Sequence, residues 1–198
     1  MQMKRVIQNA VIELVKEKQI DKISTTEIAK RAFISRITFY NYYANKYEVI
    51  ESLLEEIIET FKQIQKKNAA FLLTIDMESK SEITDRLLPN VLEITGYFYE
   101  QKETIEMLMN KNSGVALMDE LYAVYFNHFI HVLPTIFYVK FSKRDLDYYA
   151  SYMTKGVAII IEKWFQEGFQ QPAAFISDSI LKMLSDSLNS LYKNSKQI

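Results

Sequence analysis

The chain has no cysteine. Disulfides, thiolate metal sites and cysteine nucleophiles are therefore excluded, and the composition fits a reducing, cytoplasmic compartment. Glycine occurs four times and proline three times in 198 residues, and no glycine precedes Gly96. Phosphate loops and dinucleotide fingerprints need glycine for tight turns and close backbone approach, so no nucleotide cofactor is expected. Long apolar runs are missing as well. The longest aliphatic stretch covers residues 157–161, far short of the roughly 20 residues that span a bilayer. Charges recur every few residues at the N-terminus in place of an apolar signal segment, so neither export nor a membrane partner is expected.

What is present points to helices. Apolar residues make up 48% of the chain, enough for a well-buried core. Lys, Glu, Leu, Ile and Met are abundant where turn formers are scarce, which predicts an all-α fold of about nine helices without strands. The net charge of −1 conceals an asymmetry. Residues 1–47 hold nine cations and four anions, and residues 48–198 hold fifteen cations and twenty-one anions. A basic head on an acidic body is the footprint of a polyanion-binding module joined to something else.

Apolar periodicity places the elements. Val6, Ile7, Ala10, Val11, Leu14 and Val15 predict a first helix over about 4–18. After a break at 20–24, Thr25 or Thr26 is the expected cap of a short second helix through Ala32. Ser35 opens a third that ends near Tyr43, and Asn45 caps a long fourth. A connection is expected within 68–82. Helix then returns before Leu92 and runs to about Tyr99, with Pro89 in its first turn or at a kink. A short helix follows at about 104–109. A long one, capped by Asn112 or Ser113, runs from Val115 to about Ile136. Ser142-x-x-Asp145 reads as a capping box, Gly168 as a helix stop, and Pro172 as a restart.

The second and third helices, joined by three or four residues, form a helix-turn-helix, whose second helix can enter the major groove. Ser35 and Arg36 lie at the N-terminus of that helix. Thr38, Tyr40, Asn41 and Tyr42 continue along it, while Phe39 and Tyr43 turn back into a small core. The run Thr25-x-x-Ile28-Ala29-x-x-Ala32-x-Ile34-Ser35-Arg36-x-Thr38-Phe39-Tyr40-x-Tyr42-Tyr43-x-x-Lys46 resembles the DNA-binding domain of the TetR family of transcriptional regulators. The resemblance implies that Thr25 and Thr26 meet the DNA backbone. It implies that Arg36, Ile37, Thr38 and Asn41 face bases, and that Tyr40, Tyr42 and Lys46 hold phosphates. It departs from the family at Phe33, where glycine is usual. Phenylalanine makes a left-handed turn costly there, so a slightly different turn with Phe33 packed on the domain surface is expected. Lys18–Gln19 likewise stands where a glycine often ends the first helix. Farther on, Lys163-Trp164-x-x-x-Gly168-x-x-x-x-Pro172 resembles the Firmicutes-type C-terminal region of one branch of the family.

The division expected is a helix-turn-helix head, 1–47, and a helical regulatory and dimerisation domain, 48–198. Leu146, Met153, Val157, Ile160 and Trp164, with Ile180, Leu184, Leu188 and Leu191, form two apolar stripes. These are the expected homodimer surface, since a palindromic operator requires two heads. His128 and His131 share a helix face with Leu117, Leu121 and Val124. They lack a third metal ligand, which leaves satisfied core histidines or the wall of an effector cavity. Tyr97, Phe98, Tyr122, Tyr125, Phe126 and Phe129 are the candidate rings of such a cavity. The reading is a ligand-responsive regulator, repression being the commoner outcome in the family. Activation, or control by a protein partner on the acidic body, is the alternative. An all-α enzyme would need a nucleophile–base pair or metal constellation that the sequence does not offer.

Overall fold

The computed structural model describes residues 2–72, 75–137 and 142–195. It is 81% helical, with nine helices and no strand among the described residues. These are α1 (Gln2–Glu17), α2 (Thr25–Arg31), α3 (Arg36–Tyr40), α4 (Lys46–Leu72), α5 (Lys80–Glu100), α6 (Lys102–Met109), α7 (Leu117–Phe137), α8 (Lys143–Gln166) and α9 (Ala173–Ser195), with one 3-10 turn at Ile20–Lys22. Two compact units are present: residues 1–59 with 101–117, and residues 60–100 with 118–198. The unit carrying the head thus extends beyond residue 47 and includes α6.

In the first unit α1 buries Ile7, Ala10, Val11, Leu14 and Val15, as its spacing requires, while Val6 stays exposed. Phe39 and Tyr43 close the small core with Ile28, Val49, Ile50 and Leu53. Gln8 is buried on the apolar side of α1, and its Nε2 donates to Glu56 Oε1 (2.7 Å) and Ser52 Oγ (3.3 Å). The α6 segment adds Ile105, Met107 and Leu108 to this core. Ile20 N–H donates to Asn112 O (3.0 Å), tying the 3-10 turn to the segment after α6.

Several boundaries differ from expectation for local reasons. Ser24, not Thr25 or Thr26, caps α2: its hydroxyl accepts from Glu27 N–H while the Glu27 carboxylate accepts from Ser24 N–H. Helix α3 stops at Tyr40, with Asn41 as its C-cap. Asn45 does cap α4, its Oδ1 accepting from Tyr47 and Glu48 N–H. Helix α4 runs on to Leu72; of the connection beyond it, residues 73–74 lie outside the described residues. Ser79 caps α5, which continues through Pro89. Helix α7 begins at Leu117, and the Ser113 hydroxyl donates back to Leu108 O (2.9 Å) while accepting from Val115 N–H (3.4 Å), ahead of the helix.

In the second unit α9 packs against α5 and α8. Thr95 and Ser177 share a buried hydroxyl–hydroxyl bond of 2.7 Å, and Asn189 Nδ2 donates to Met77 O and Glu78 O, both at 2.9 Å. This packing changes the reading of the apolar stripes. Leu146, Met153, Trp164, Ile180, Leu184, Leu188 and Leu191 are all buried inside the unit, and Val157 and Ile160 are half-buried. Periodicity reports an apolar face correctly; α5 and neighbouring helices cover most of it within one chain. Trp164 is anchored further, its indole N–H donating to Gln171 O (2.8 Å).

Candidate nucleic-acid interface and apolar cavity

The side chains expected to meet DNA are gathered by α2, α3 and the start of α4. Ser35 caps α3, its hydroxyl accepting from Thr38 N–H (3.0 Å) and lying 2.9 Å from the Thr38 hydroxyl. Thr25 Oγ1 is 3.1 Å from Tyr40 OH, which joins the start of α2 to the end of α3. That hydroxyl, and then the Arg36 guanidinium, hold the Tyr40 phenol below its ordinary value. Phe39 anchors the helix from beneath, fully buried and edge-on to Tyr40 at 5.5 Å. Arg36, Ile37, Asn41 and Tyr42 stay exposed, as does Thr26; Thr38 is half-buried.

Lys46 is engaged within the head. Its ammonium donates to Asp21 O (2.7 Å) and Ile23 O (2.8 Å), fastening the 3-10 turn to α4. An ammonium has three protons, so one remains for a further acceptor. Other cations of the head are also engaged. Arg31 pairs with Glu13 (2.9 Å) and Glu17 (3.0 Å), Lys18 with Glu27, and Arg5 with Glu56 (3.6 Å). The positive surface is therefore smaller than a count of residues suggests, with Lys22, Lys30 and Arg36 among its exposed members.

Phe33 is the residue whose significance the sequence pattern does not convey. It adopts φ 55°. Its N–H donates to Lys30 O (3.2 Å) and the N–H of Ile34 to Ala29 O (2.9 Å), which together make the left-handed Schellman stop. The turn is thus the one glycine would make, formed by a residue for which it costs about 1–2 kcal/mol. Nor does the ring pack on the domain surface: Phe33 is 95% exposed.

The second unit contains a cavity of about 50 Å³ walled by α4, α5, α7, α8 and α9. Of the rings expected there, Phe98, Tyr122 and Tyr125 line it, joined by Phe61. Tyr97 instead borders a separate surface groove with Glu93 and Glu100. Phe126 stacks on Tyr122 at 5.8 Å and Phe129 stands edge-on to Tyr125 at 4.9 Å, both behind the lining. Neither histidine lines it. His131 is exposed, its Nδ1–H donating to Asn127 O (2.6 Å). Half-buried His128 is held below its ordinary value by burial and then by His131. Burial pushes the Tyr125 phenol well up.

Two polar residues in the wall are absent from the sequence-based set. Gln65 Nε2 and Asn90 Nδ2 are buried with no hydrogen-bond partner among the described residues. An unsatisfied buried amide costs on the order of 1–3 kcal/mol. The signal for Gln65 is its place as a polar group one turn after Phe61 on the apolar stripe of α4. The described lining holds no charged side chain.

An all-helical chain with a helix-turn-helix head and a separate helical unit enclosing an apolar cavity has the build of a one-component regulator. Residues 7–53 match the family model described as bacterial regulatory proteins, tetR family, and residues 85–186 match that of a transcriptional regulator C-terminal region. The chain belongs to the TetR family of transcriptional regulators. A curated relative, the uncharacterized HTH-type transcriptional regulator YxbF of Bacillus subtilis (strain 168), is 21% identical over 90% of this chain. The match covers 44% of that protein's own length. Among solved structures, a transcriptional regulator from Aquifex aeolicus VF5 superposes with a TM-score of 0.64 at 16% identity, covering 92% of this chain and 97% of the other. SmeT in its triclosan complex gives 0.67 at 13% identity, covering 92% and 90%. At these identities the likeness is one of fold.

Proposed function

We propose that the protein is a ligand-responsive repressor that binds a palindromic operator as a homodimer. The observation that carries the reading is the surface of α3: a five-residue helix held from below by Phe39, presenting Arg36, Ile37 and Asn41 to solvent. Arg can pair bidentately with guanine and Asn with adenine, and an aliphatic side chain meets a thymine methyl. Thr38 adds a hydroxyl for a base edge, while Thr25, Thr26, Ser35, Tyr40, Tyr42 and the remaining Lys46 proton supply bonds to phosphates, which set register. A dimer seated on an operator excludes polymerase from an overlapping promoter, which makes repression the direct outcome.

The dimer surface is assigned to the apolar residues that the monomer leaves uncovered. Tyr148, Tyr152 and Ile159 are exposed at i, i+4 and i+11 on α8, and Phe175 and Met183 are exposed on α9. The effector is assigned to the cavity. It would be uncharged and apolar in body, with an acceptor for the Gln65 and Asn90 amides. A cavity that binds benzene measures about 150 Å³, so a ring-sized effector must part these walls. Phe61 and Gln65 lie on the helix whose first residue is Lys46, so parting them would act on the segment that fastens the head. The effector would shift DNA affinity only by its preference for one arrangement of α4 over the other.

Selection from a random duplex library tests the reading. A two-fold symmetric site is expected, with Arg36→Ala or Asn41→Ala relaxing preference at particular base pairs by about 1–3 kcal/mol. Unchanged preference in both variants would remove α3 as the reading element.

A further inference from the structure

Phe33 combines three properties that the fold does not explain. Its backbone is left-handed, at φ 55°. Its ring is 95% exposed, so almost no packing among the described residues compensates for that conformation. It stands two residues before Ser35, the N-cap of α3, in the turn that delivers the recognition helix. Elsewhere the chain solves the same problem with glycine: Gly168, at φ 64°, occupies the corresponding position after α8. A large apolar ring at a site that favours glycine, and surrounded by water, is stabilising only in a complex.

We infer that Phe33 is a specificity-determining residue that reads a thymine methyl in the operator, an inference that rests on the DNA-binding reading above. The apolar group that a major groove offers at a base edge is the thymine C5 methyl, and a ring is a suitable partner for it. The phosphate rim offers charge, which a desolvating ring would oppose. The flanking sequence supports placement at the groove: Lys30 precedes the turn and Arg36 comes after it, both exposed, and Ile37 adds an aliphatic surface 76% exposed on the next turn of chain. Phe33 thus contributes one apolar letter to each half-site beside the bases faced by Arg36. Because a left-handed backbone holds it there, the contact is obtained at the expense of folding stability.

Replacing dT by dU removes only the methyl group, which makes the contact separately testable. The selected operator would be scanned with single symmetric dT→dU exchanges and measured by fluorescence anisotropy with the wild type and Phe33→Gly. One exchange is expected to weaken the wild type about fourfold per half-site, the worth of burying one methyl-sized group. The same exchange should leave Phe33→Gly unaffected, while that variant binds the unmodified operator more weakly and its thermal midpoint rises by about 2–4 °C. Glycine suits φ 55°, so the variant is expected to fold. A thymine effect equal in both proteins, or a Phe33→Gly loss with no thymine dependence, would overturn the contact and leave the DNA-binding reading intact. If neither wild type nor Arg36→Ala selects any sequence, both readings fall together.

Discussion

Helices α2 and α8 use the same devices at both ends. Each opens on a capping box, Ser24 with Glu27 and Ser142 with Asp145, and each closes on a Schellman stop that includes a phenylalanine at φ 55°. The difference lies in which residue occupies the stop and where the phenylalanine ring goes. After α8, Gly168 takes the first left-handed position and Phe169 the next, where its ring is 5% exposed, 4.8 Å from Trp164 and 5.1 Å from Phe165. After α2, Phe33 takes the first position itself and is left in water. Backbone strain alone therefore says little. At Phe169 burial outweighs it, since a buried Phe contributes about 1.5–3 kcal/mol, whereas at Phe33 nothing among the described residues does.

Substituting glycine at both sites should give effects of opposite sign. Phe169→Gly relieves the backbone but empties a packed aromatic cluster, and losing a buried Phe costs about 3–5 kcal/mol. The expected net loss is about 2–4 kcal/mol in denaturant unfolding, less than the cavity term by the strain released. A stabilised Phe169→Gly would show that strain, not packing, dominates that turn.

The comparison extends to exposed apolar groups on the second unit. Ile159 is 60% exposed on α8 in the row with Tyr148 and Tyr152, and unlike Phe33 it sits in unstrained helix. In the proposed homodimer a partner copy would cover it. Ile159→Glu would bury one unpaired carboxylate from each chain in a symmetric interface. Dimer dissociation is expected to rise about tenfold or more, with a matching loss on the full operator and little change on an isolated half-site. Sedimentation unchanged from the wild type would move the dimer surface away from α8.

These contrasts also mark what can be read from sequence. The capping box at Ser142 and the stop at Gly168 are legible, because both signals are local and use residue types with one common role. The cap of α2 is less so: the threonines at 25 and 26 compete with Ser24, although Ser24-x-x-Glu27 has the same spacing as the box of α8. The internal bonds of Lys46 are not legible at all, because nothing local shows the carbonyls of Asp21 and Ile23, more than twenty residues back, arriving at its ammonium. Leu184, Leu188 and Leu191 show the general difficulty. Their spacing reveals an apolar face, but α5 is recognisable as its cover only in three dimensions. For Phe33 the unusual residue and its backbone cost are visible in the sequence, yet its exposure depends on what the fold places nearby.

Phe33→Gly, measured without DNA, sharpens the contrast by a smaller amount. Removing a left-handed β-carbon should stabilise the chain by about 1 kcal/mol, diminished by the extra freedom of glycine in the unfolded state. Urea unfolding of the wild type, Phe33→Gly and Phe33→Ala separates the causes. Alanine keeps the strain and removes the ring, so it should resemble the wild type. An alanine variant as destabilised as a core mutant would mean that the ring packs within the folded chain.

The smallest effect concerns the other end of α2, where the two boxes also differ. Glu27 accepts from Ser24 and pairs with Lys18, whereas the acid of the α8 box is the shorter Asp145. The Lys18 ammonium, then the Ser24 N–H and hydroxyl, lower the Glu27 carboxyl from 4.5 to about 2. A folded value below the unfolded one means that ionised Glu27 stabilises the fold fully above the unfolded value and loses that contribution as pH falls toward 2. Glu27→Gln can keep a box bond but not the charge, so it should melt below the wild type at neutral pH and converge with it between pH 4.5 and 2. The carboxylate is exposed to solvent, so added salt should narrow the neutral-pH gap. Melting curves for the two proteins that stay parallel from about pH 7 to about pH 2.5 would show that the charge of Glu27 contributes nothing to holding α2, and that its box works through the hydrogen bonds alone.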